Sequence, residues 1–497
     1  MKRILSPNNI DDYRLFIALK RLPRWRLRGS VAEFPDEYAH LIGAKPPKVA
    51  GTSYKPWPGL FDYQRDLAAM SLQKRKYAVF ADCGLGKTFI ITEYARTVQR
   101  AVTGRVLIVS PLMVVRQTLA EAERFYGGKV KMEAVAASDL NEWLAGSGKA
   151  VGITNYEAIT ENTRAGNLAS LILDESSMLK SHYGKWGTRL IELGRGLDWK
   201  LCLTGTPAPN DRIEYANHAV FLDRFPTVNS FLARYFINRG QTQDRWELKA
   251  HARGAFYRSL SDWCIFLSRP AIYGWKDNTA DLPPIHVHIH DVPLTEEQQY
   301  GSMRLTGGMF GEAGGFVQRG KLARLAKGRC HETGEEIPTH KFEFIMSLLA
   351  QWPDESTIIW CWHNHEQDTL AALLPDAANI SGDTPMERRG ELLDDFIAGR
   401  RKVLISKPKV LGFGLNLQVA TRQIFSSLID SYESYYQAVK RSNRIGSTRP
   451  LNVHIPVTEI ERPMVANVLR KAARVQADTE EQERLFQENG VTKAVAG

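Results

Sequence analysis

The sequence predicts an α/β protein of two parallel-sheet lobes, with helical insertions and a short N-terminal extension. Short apolar segments alternate with helical ones twice, from about residue 60 to 206 and from about 340 to 460. Such alternation is typical of parallel sheets with crossover helices. The chain has 497 residues, which is too long for one hydrophobic core and favours two domains.

Each lobe is predicted from its own series of short apolar strands. The strands of the first lobe are predicted at residues 77–80, 105–109, 151–154, 171–173 and 200–203, and those of the second at 357–360, 402–406, 423–425 and 452–457. Residues 210–280 are aromatic and basic without this rhythm, so we expect a mostly helical insertion. The glycine-rich segment 301–320 predicts a mobile loop, and the amphipathic segment 465–489 predicts a helix.

The composition indicates a globular protein with a polyanionic partner. The formal net charge is +10, which favours nucleic acid as that partner. No apolar run is long enough to span a membrane, and the N-terminus has no apolar signal core, so we expect no membrane partner. The five cysteines form no C-x-x-C pair, which favours the cytoplasm, a reducing intracellular compartment.

A glycine-rich turn joins the first predicted strand to a helix and ends in Gly86-Lys87-Thr88. Glycines at 84 and 86 allow backbone N–H groups to turn inward around a polyphosphate. Lys87 would neutralise the outer phosphates, and the Thr88 hydroxyl would bind Mg²⁺. The usual pattern begins with glycine where this chain has Ala81. The turn therefore predicts nucleotide hydrolysis, with one departure from the pattern.

Polar residues follow two further strands of the first lobe. Asp174 and Glu175 come directly after an apolar strand, and ligands of open parallel sheets bind at this edge. Asp174 would hold Mg²⁺, and Glu175 would orient and deprotonate the attacking water. Thr204 and Thr206 lie in a sharp turn after the next strand. Their hydroxyls suit a relay between the nucleotide site and another surface.

A basic segment near the end of the second lobe contains Gln437, Arg441 and Arg444. On a helix these residues fall at i, i+4 and i+7, which places them on one face. Two arginines in such a row, far from the glycine turn in sequence, suit arginine fingers that stabilise the charge of a transferring phosphoryl group.

Ten ordered motifs resemble helicase superfamily two, and most of all its Swi/Snf-type DNA translocases in a compact form of the size found in bacteria and phages. They lie at residues 61–64, 82–88, 107–117, 154–157, 174–180, 203–207, 341–349, 381–389, 406–417 and 437–446. The chain departs from the family at Ser177 and Asn443, where histidine is common, and such changes would weaken the coupling between hydrolysis and movement.

The resemblance implies two RecA-like lobes, with ATP and Mg²⁺ as cofactors and DNA, most of all duplex DNA, as partner. It implies a basic extension and linker at 1–55, an ATP-binding lobe at 56–280 with an insertion at about 210–280, a helicase C-terminal lobe at 281–462, and a C-terminal helix at 463–497. The residues implied for ATP binding are Gln64, Gly84, Leu85, Gly86, Lys87, Thr88, Gly414 and Gln437, and those for catalysis are Lys87, Asp174, Glu175, Arg441 and Arg444. The residues implied for strand contact are Ser110, Asn155, Tyr156, Ser406 and Lys407.

The leading hypothesis is an ATP hydrolase that translocates on double-stranded DNA and remodels DNA or DNA–protein complexes. The alternatives are a strand-separating DNA or RNA helicase of the same superfamily, and a nucleic-acid-binding module with a decayed ATPase. The motor of a nuclease or methyltransferase complex is a further alternative, which would need a separate chain for the other activity.

Two weaker patterns have open interpretations. Five cations surround Trp25 between residues 20 and 28, which suits either a phosphate contact or a solvated helix end. His286, His288 and His290 alternate along a predicted strand, so their side chains share one face. A metal site there would lack nearby cysteine or acidic ligands, and we expect none.

Overall fold

The computed structural model describes residues 1–43, 54–180, 184–240, 245–279, 282–306, 316–331, 333–411, 415–426, 428 and 431–488. The chain divides into two compact units. The first unit is Met1–Asn278 together with the part that begins at Val475, and the second unit is Thr279–Arg474. Each unit contains one large parallel sheet with helices around it, so the predicted fold class is confirmed. No helix among the described residues combines the length and apolarity needed to cross a membrane.

A small module, which we define as residues 1–43, begins the first unit. Its elements are β1 (Lys2–Ile4), α1 (Ile10–Leu19), β2 (Arg26–Arg28) and β3 (Val31–Glu33), and the antiparallel strands lie in the order β1-β3-β2. The side chain of Asn9 caps α1 by accepting a hydrogen bond from the Asp11 N–H. Since α1 ends at Leu19, the helix-end interpretation of the cations between 20 and 28 is wrong for Arg26 and Arg28, which lie on a strand.

The module is fixed to the rest of the first unit by apolar and polar contacts. Its buried apolar residues, among them Leu19 and Phe34, belong to the hydrophobic core of that unit. The Tyr38 hydroxyl donates to Asp262 at 2.9 Å, and the Lys74 ammonium donates to Glu37 at 2.5 Å. The N-terminal residues are therefore an integral part of the first unit.

The large sheet of the first unit has seven parallel strands in the order β12-β4-β9-β8-β5-β7-β6. These strands are β4 (Lys76–Ala81), β5 (Arg105–Ser110), β6 (Glu133–Ala134), β7 (Val151–Asn155), β8 (Leu168–Asp174), β9 (Trp199–Leu203) and β12 (Cys264–Leu267). The central strands are almost entirely buried, as expected for a parallel sheet covered on both faces. All five predicted strands of this lobe are confirmed.

Helices cover this sheet, and one hairpin extends from it. The helices are α2 (Asp62–Lys74), α3 (Lys87–Ala101), α4 (Leu112–Tyr126), α5 (Leu140–Ala145), α6 (Lys185–Leu193), α7 (Tyr215–Phe221), α8 (Val228–Tyr235) and α9 (Arg253–Trp263), and the hairpin is β10 (Phe236–Asn238) with β11 (Trp246–Leu248). The expectation of a mostly helical insertion at 210–280 is correct for α7, α8 and α9. It is wrong at its end, because β12 joins the large sheet beside β4.

The sheet of the second unit has six parallel strands in the order β13-β18-β17-β14-β16-β15. They are β13 (Ile285–Asp291), β14 (Thr357–Trp360), β15 (Ala378–Ile380), β16 (Val403–Ser406), β17 (Arg422–Phe425) and β18 (Leu451–Val457). All four predicted strands of this lobe are present. Exposed β13 and short β15 form the two edges, and neither has the continuous apolar run by which the inner strands were recognised.

The second unit contains seven helices that lie wholly within it among the described residues. They are α10 (Glu296–Thr306), α11 (Phe316–Ala326), α12 (Lys341–Leu349), α13 (Asn364–Leu373), α14 (Met386–Ile397), α15 (Pro408–Leu411) and α16 (Tyr432–Ser442). The mobile loop predicted at 301–320 is wrong at both ends, because α10 continues to Thr306 and α11 begins at Phe316. Residues 307–315 of that prediction lie outside the described residues.

Short 3-10 helices fill several connections. They span Asp36–Ile42, Tyr156–Ala158, Ser176–Leu179, Arg212–Glu214, Ala250–Ala252, Pro270–Tyr273 and Glu459–Glu461.

The last helix of the described residues, α17 (Arg462–Glu488), confirms that the amphipathic segment predicted at 465–489 is helical. Residues 489–497 of the predicted C-terminal helix lie outside the described residues. Its residues from Val475 onward belong to the first unit. There Asp478 is buried and accepts hydrogen bonds from the Arg212 guanidinium at 2.6–3.1 Å and from the Tyr257 hydroxyl at 2.6 Å. Glu483 accepts from the Ser268 N–H at 2.7 Å.

Histidine rings stack at the β13 edge of the second sheet. The His454 ring on β18 lies 4.8 Å from that of His288 and 5.3 Å from that of His290, measured between centroids. It also stacks on Trp352 at 4.7 Å. The His290 Nε2 and His454 Nδ1 atoms are 3.0 Å apart. Within the described residues, no group of histidine, cysteine or acidic side chains is arranged to hold a metal ion.

We expect the buried His454 to make the second unit sensitive to acid. Burial, together with His288 and His290, lowers the pKa of His454 from 6.5 to about 3. Between these values the unfolded chain binds a proton that the folded chain does not, so stability is lost as the pH falls from 6.5. In the parent protein, this one group raises the unfolding equilibrium constant by up to about tenfold for each pH unit of acidification. We expect His454→Leu to remove that contribution. Urea titrations at neutral and acid pH, followed by tryptophan fluorescence, measure the effect.

The exposed His251 offers a matched control. His251→Leu should leave the pH dependence of unfolding as it is in the parent protein. An His454→Leu protein with the parent's pH dependence would show that the titration of this ring does not contribute.

Candidate functional site

The glycine turn after β4 has a backbone that only glycine adopts readily. Gly84 and Gly86 have φ values of 87° and 67°, in the left-handed region where a side chain is disfavoured. A Cβ atom on Gly86 would lie 2.3 Å from the Gln64 Nε2 atom. Helix α3 begins directly afterwards at Lys87, so its first free N–H groups lie beside the turn.

The Lys87 ammonium lies below this turn and close to two carboxylates. Its Nζ atom donates to the carbonyl oxygens of Ala81 at 3.1 Å and Asp82 at 3.4 Å. Burial works to lower the pKa of Lys87, but the nearby charges of Glu175 and Asp174 outweigh it and raise the pKa above its ordinary value. The side chain is therefore held as a cation.

Asp174 is buried at the carboxyl end of β8. Burial, reinforced by the neighbouring charge of Glu175, raises the pKa of Asp174 to about 6. The Ser110 hydroxyl donates to Asp174 Oδ2 at 2.9 Å, and this bond and the Lys87 charge both oppose the rise. A further cation beside Asp174 would lower the pKa of this carboxyl group and favour its charged form.

Glu175 has a strained backbone and a fixed side chain. Its φ and ψ are 52° and 53°, a left-handed conformation that is costly for a residue with a side chain and is often found at functional sites. Its Oε2 atom accepts from the Thr204 hydroxyl at 3.1 Å, and the same Thr204 oxygen accepts from the Thr206 N–H at 3.1 Å. Thr204 thus connects the acidic pair to the turn after β9, as its predicted relay role requires.

Gln64 lies behind the glycine turn. Its side chain is buried, its Oε1 atom accepts from the Phe61 N–H at 3.1 Å, and its Nε2 atom donates to the Leu85 carbonyl at 3.4 Å. The Tyr63 hydroxyl donates to the same carbonyl at 3.2 Å. Sequence reasoning missed this second support, and the only signal for it was the adjacency of Tyr63 to Gln64.

Three of the residues predicted to contact nucleic acid lie in the first unit, and two of them bond to Asp174. Ser110 donates to the Asp174 carboxylate, and the buried Tyr156 hydroxyl donates to the Asp174 carbonyl at 2.8 Å. Asn155 accepts from the Ala158 N–H at 2.8 Å and caps a short helix. The bonds of Ser110 and Tyr156 connect two of the predicted contact motifs to the acidic pair. The strand-contact role of the three residues stays a prediction.

The other two predicted contacts lie in the second unit. The buried Ser406 hydroxyl donates to the Ile380 carbonyl at 2.7 Å. The half-buried Lys407 ammonium donates to the side chain of Asn364, an exposed residue at the start of α13 that the sequence did not single out. The roles of Ser406 and Lys407 in strand contact stay predictions.

The predicted arginine fingers lie at the end of α16 in the second unit. Gln437 and Arg441 are buried on the helix. The helix ends at Ser442, so the expectation that Arg444 shares its face at i+7 is wrong. Arg444 instead donates to the carbonyl oxygens of Lys440 at 3.1 Å and Leu415 at 3.2 Å. Gly414, also predicted to bind ATP, lies outside the described residues.

Lys87, Asp174, Glu175 and Thr204 thus come together in the first unit from the carboxyl ends of β8 and β9 and the start of α3. This is the arrangement of a polyphosphate site, with a glycine cradle, a fixed cation, a carboxylate able to hold a metal ion, and a second carboxylate able to accept a proton.

Known protein families match most of the chain. Residues 64–356 match the family model described as SNF2-related domain, and residues 340–446 match the helicase conserved C-terminal domain. The ATP-dependent helicase fft1 of Schizosaccharomyces pombe is 32% identical over 126 residues, which is 24% of this chain and 13% of that protein. The ATP-dependent RNA helicase FAL1 of Kluyveromyces lactis is 26% identical over 132 residues, which is 26% of this chain and 32% of that protein.

The alignments therefore span less than a third of each of these two relatives. Among solved structures, the SWI2/SNF2 ATPase core of Sulfolobus solfataricus in complex with dsDNA aligns with 87% of this chain and 99% of its own, at 16% identity and a TM-score of 0.40.

Proposed function

Because the chain belongs to the SNF2-related family of helicase-like, ATP-hydrolysing enzymes, we propose that it translocates on double-stranded DNA and remodels DNA or DNA–protein complexes. The family assignment confirms the Swi/Snf-type resemblance that the ordered motifs indicated. The observation that carries the proposal is the convergence of Lys87, Asp174 and Glu175 beside the Gly86 turn.

The residues of the first unit fit ATP and Mg²⁺. Gly86 leaves no room for a side chain, because a Cβ atom there would collide with Gln64. The Lys87 cation and the first N–H groups of α3 suit terminal phosphates. The hydroxyl of Thr88 and the carboxylate of Asp174 are oxygen ligands of the kind that Mg²⁺ prefers. When bound, the magnesium ion would neutralise charge on the phosphates during their transfer.

The protein's own groups then have separate tasks. Lys87 holds a positive charge at Nζ against the outer phosphates, and Asp174 keeps a metal-binding carboxylate at the end of β8. Glu175, oriented by the Thr204 hydroxyl, accepts a proton from the attacking water at its carboxylate. The left-handed backbone of Glu175 ends β8 directly after Asp174.

Glu175→Gln should slow ATP hydrolysis by about 10²- to 10⁴-fold, because an amide cannot take the proton. Binding of ATP should persist, since glutamine keeps an oxygen that accepts from Thr204 and leaves Lys87 unchanged. Single-turnover hydrolysis and titration with a fluorescent ATP analogue separate the two effects. The exposed Glu161 gives the control Glu161→Gln, which should hydrolyse ATP at the parent rate. Equal losses in both variants would contradict the role of Glu175.

Duplex DNA is the substrate that the sequence and charge favour. The net charge of +10 suits a polyanion. The Gly84-Leu85-Gly86 turn and the Arg444-Ile445-Gly446 ending resemble Swi/Snf-type translocases more than strand-separating helicases. Movement along a phosphate backbone implies little sequence preference and strong sensitivity to salt.

ATP turnover measured with blunt duplex DNA, single-stranded DNA and RNA tests the substrate. We expect the greatest stimulation with duplex DNA and a release of duplex-bound obstacles that requires hydrolysis. Stimulation by RNA alone would overturn the proposal. Unwinding of a tailed duplex would favour the strand-separating alternative, and zero basal and stimulated turnover would favour a decayed ATPase.

A further inference from the structure

We propose that the N-terminal module, residues 1–43, holds a second nucleic-acid site that accepts an unpaired nucleotide. The base would enter an apolar groove in the module, and the phosphates would lie against cations at its rim. This site is separate from the nucleotide site of the first unit. It rests on the proposed function only in taking nucleic acid as the class of ligand.

The groove lies between helix α1 and the three-stranded sheet of the module. Its volume is about 450 Å³, within the range of about 300–1,000 Å³ that is usual for small-molecule sites. Its apolar lining comes from Leu5, Pro7, Tyr13, Phe16 and Leu27. These residues offer an aromatic ring on one side and aliphatic surface on the other, which is the surface that the flat face of a nucleobase requires.

Apolar side chains around the groove are exposed to an unusual degree. Tyr13 is 58% exposed and Leu27 is 40% exposed. Helix α1 also presents Ile10 and Ile17, at i−3 and i+4 from Tyr13 and so on the same face. A group of exposed large apolar residues on a folded protein marks a binding surface. Since Tyr13 contributes little to the core, its ring is available for stacking.

Exposed cations flank this apolar surface. Arg3 on β1 shares a face of the sheet with Leu5 and Leu27, because side chains alternate along a strand, and it forms no ion pair with any described residue. The one acidic residue of the sheet, Glu33, is paired with Lys2 at 2.9 Å. On α1's side, the Lys20 ammonium lies 4.3 Å from the centroid of the Phe16 ring. The module therefore offers unpaired positive charge on both sides of the groove, which complements a phosphate backbone.

One acidic residue decides how a nucleotide would be oriented. Asp12 lies in the groove wall, where its carboxylate accepts from the Ser6 N–H at 2.9 Å. Its charge would repel a phosphate inside the groove, so the base lies inside and the phosphates lie at the rim, toward Arg3 and Lys20. A duplex keeps its bases stacked and paired, and only an unpaired nucleotide can supply a base in this way.

The attachment of the module to the first unit indicates which class of DNA this second site would bind. The contacts of Tyr38 and Glu37 with Asp262 and Lys74 hold the module against the first unit. An unpaired strand bound there would be held by the same rigid body that binds the nucleotide. The substrate class that follows is DNA in which a single strand adjoins a duplex, such as a fork, a gap or a tail.

Binding of labelled oligothymidine and of a labelled blunt duplex to the full chain, measured by fluorescence anisotropy without ATP, tests the inference. Tyr13→Ala should weaken binding of the single strand about tenfold, because stacking is worth about 1–3 kcal/mol per base, and should leave the affinity for the blunt duplex unchanged. Tyr13→Phe should restore the single-strand affinity. Arg3→Glu should lower the slope of log Kd against log salt for the single strand by about 0.7.

Tyr300→Ala and Arg195→Glu are matched controls, since both residues are exposed and lie outside the module. Neither should change single-strand affinity, and thermal unfolding should show that all variants remain folded. ATP turnover with saturating blunt duplex should be equal in Tyr13→Ala and the parent protein, so loss of this site and failure of the motor are distinguishable. The inference would be overturned if Tyr13→Ala bound the single strand with the affinity of the parent protein. It would also be overturned if an acidic peptide, but not unlabelled oligothymidine, displaced the bound strand.

Discussion

A Lys87→Ala protein should hydrolyse ATP at least about 10³-fold more slowly than the parent, because it loses the fixed cation of the phosphate site. In the parent, Lys87 is held by two backbone carbonyls and by the charges of Glu175 and Asp174. Its removal leaves that acidic pair without this cation, so the pKa of Asp174 rises further and ATP meets uncompensated negative charge. Affinity for ATP should fall together with turnover.

Steady-state turnover and titration with a fluorescent ATP analogue measure these two losses. Lys87→Arg should also be inactive, because a guanidinium cannot replace a compact ammonium in this cradle. Lys131→Ala, which changes an exposed lysine of the first unit, is the control and should behave as the parent. Normal turnover by Lys87→Ala would remove the basis for placing hydrolysis at the glycine turn.

Arg444→Ala should reduce the rate of ATP hydrolysis by about 10³-fold, which is the usual contribution of an arginine finger. ATP binding should be nearly unchanged, because the residues assigned to phosphate binding are in the first unit. Arg444 is a better test than Arg441, which is buried and whose loss would disturb the packing of α16. Since Arg444 and Lys87 belong to different units, a loss confined to hydrolysis would support a role for both units in one reaction.

The rate of the single turnover, compared with the affinity for the ATP analogue, separates catalysis from binding. Arg400→Ala changes an exposed arginine of the second unit and should retain parent activity. If Arg444→Ala lowers the thermal stability of the protein and slows hydrolysis only in proportion to the unfolded fraction, its two bonds to Lys440 and Leu415 are structural and the finger assignment is wrong.

The inner strands could be predicted because both faces of a parallel sheet are buried. Such strands are continuous apolar runs, and their carboxyl ends meet at one edge, so the sequence also predicts that Lys87, Asp174 and Thr204 approach each other. The hydrogen bond from Thr204 to Glu175 and the left-handed backbone of Glu175 depend on tertiary packing, and no local pattern encodes them.

Elements with exposed or mixed surfaces escaped prediction. The strands β1 and β2 are short and charged, so the antiparallel sheet of the N-terminal module gave no apolar alternation. Strand β12 follows an aromatic helix directly, and its apolar residues were indistinguishable from a continuation of that helix. Arg444 was placed on α16 because the periodicity of a sequence does not reveal where a helix ends.

The return of α17 to the first unit has a consequence for biosynthesis. The buried acceptor Asp478 satisfies Arg212 and Tyr257, yet it is translated after the whole second unit. A nascent chain therefore leaves those two donors without this acceptor until Asp478 has emerged from the ribosome. Chains terminated before Asp478 would carry an incomplete first unit, which gives cellular proteases a basis for removing them.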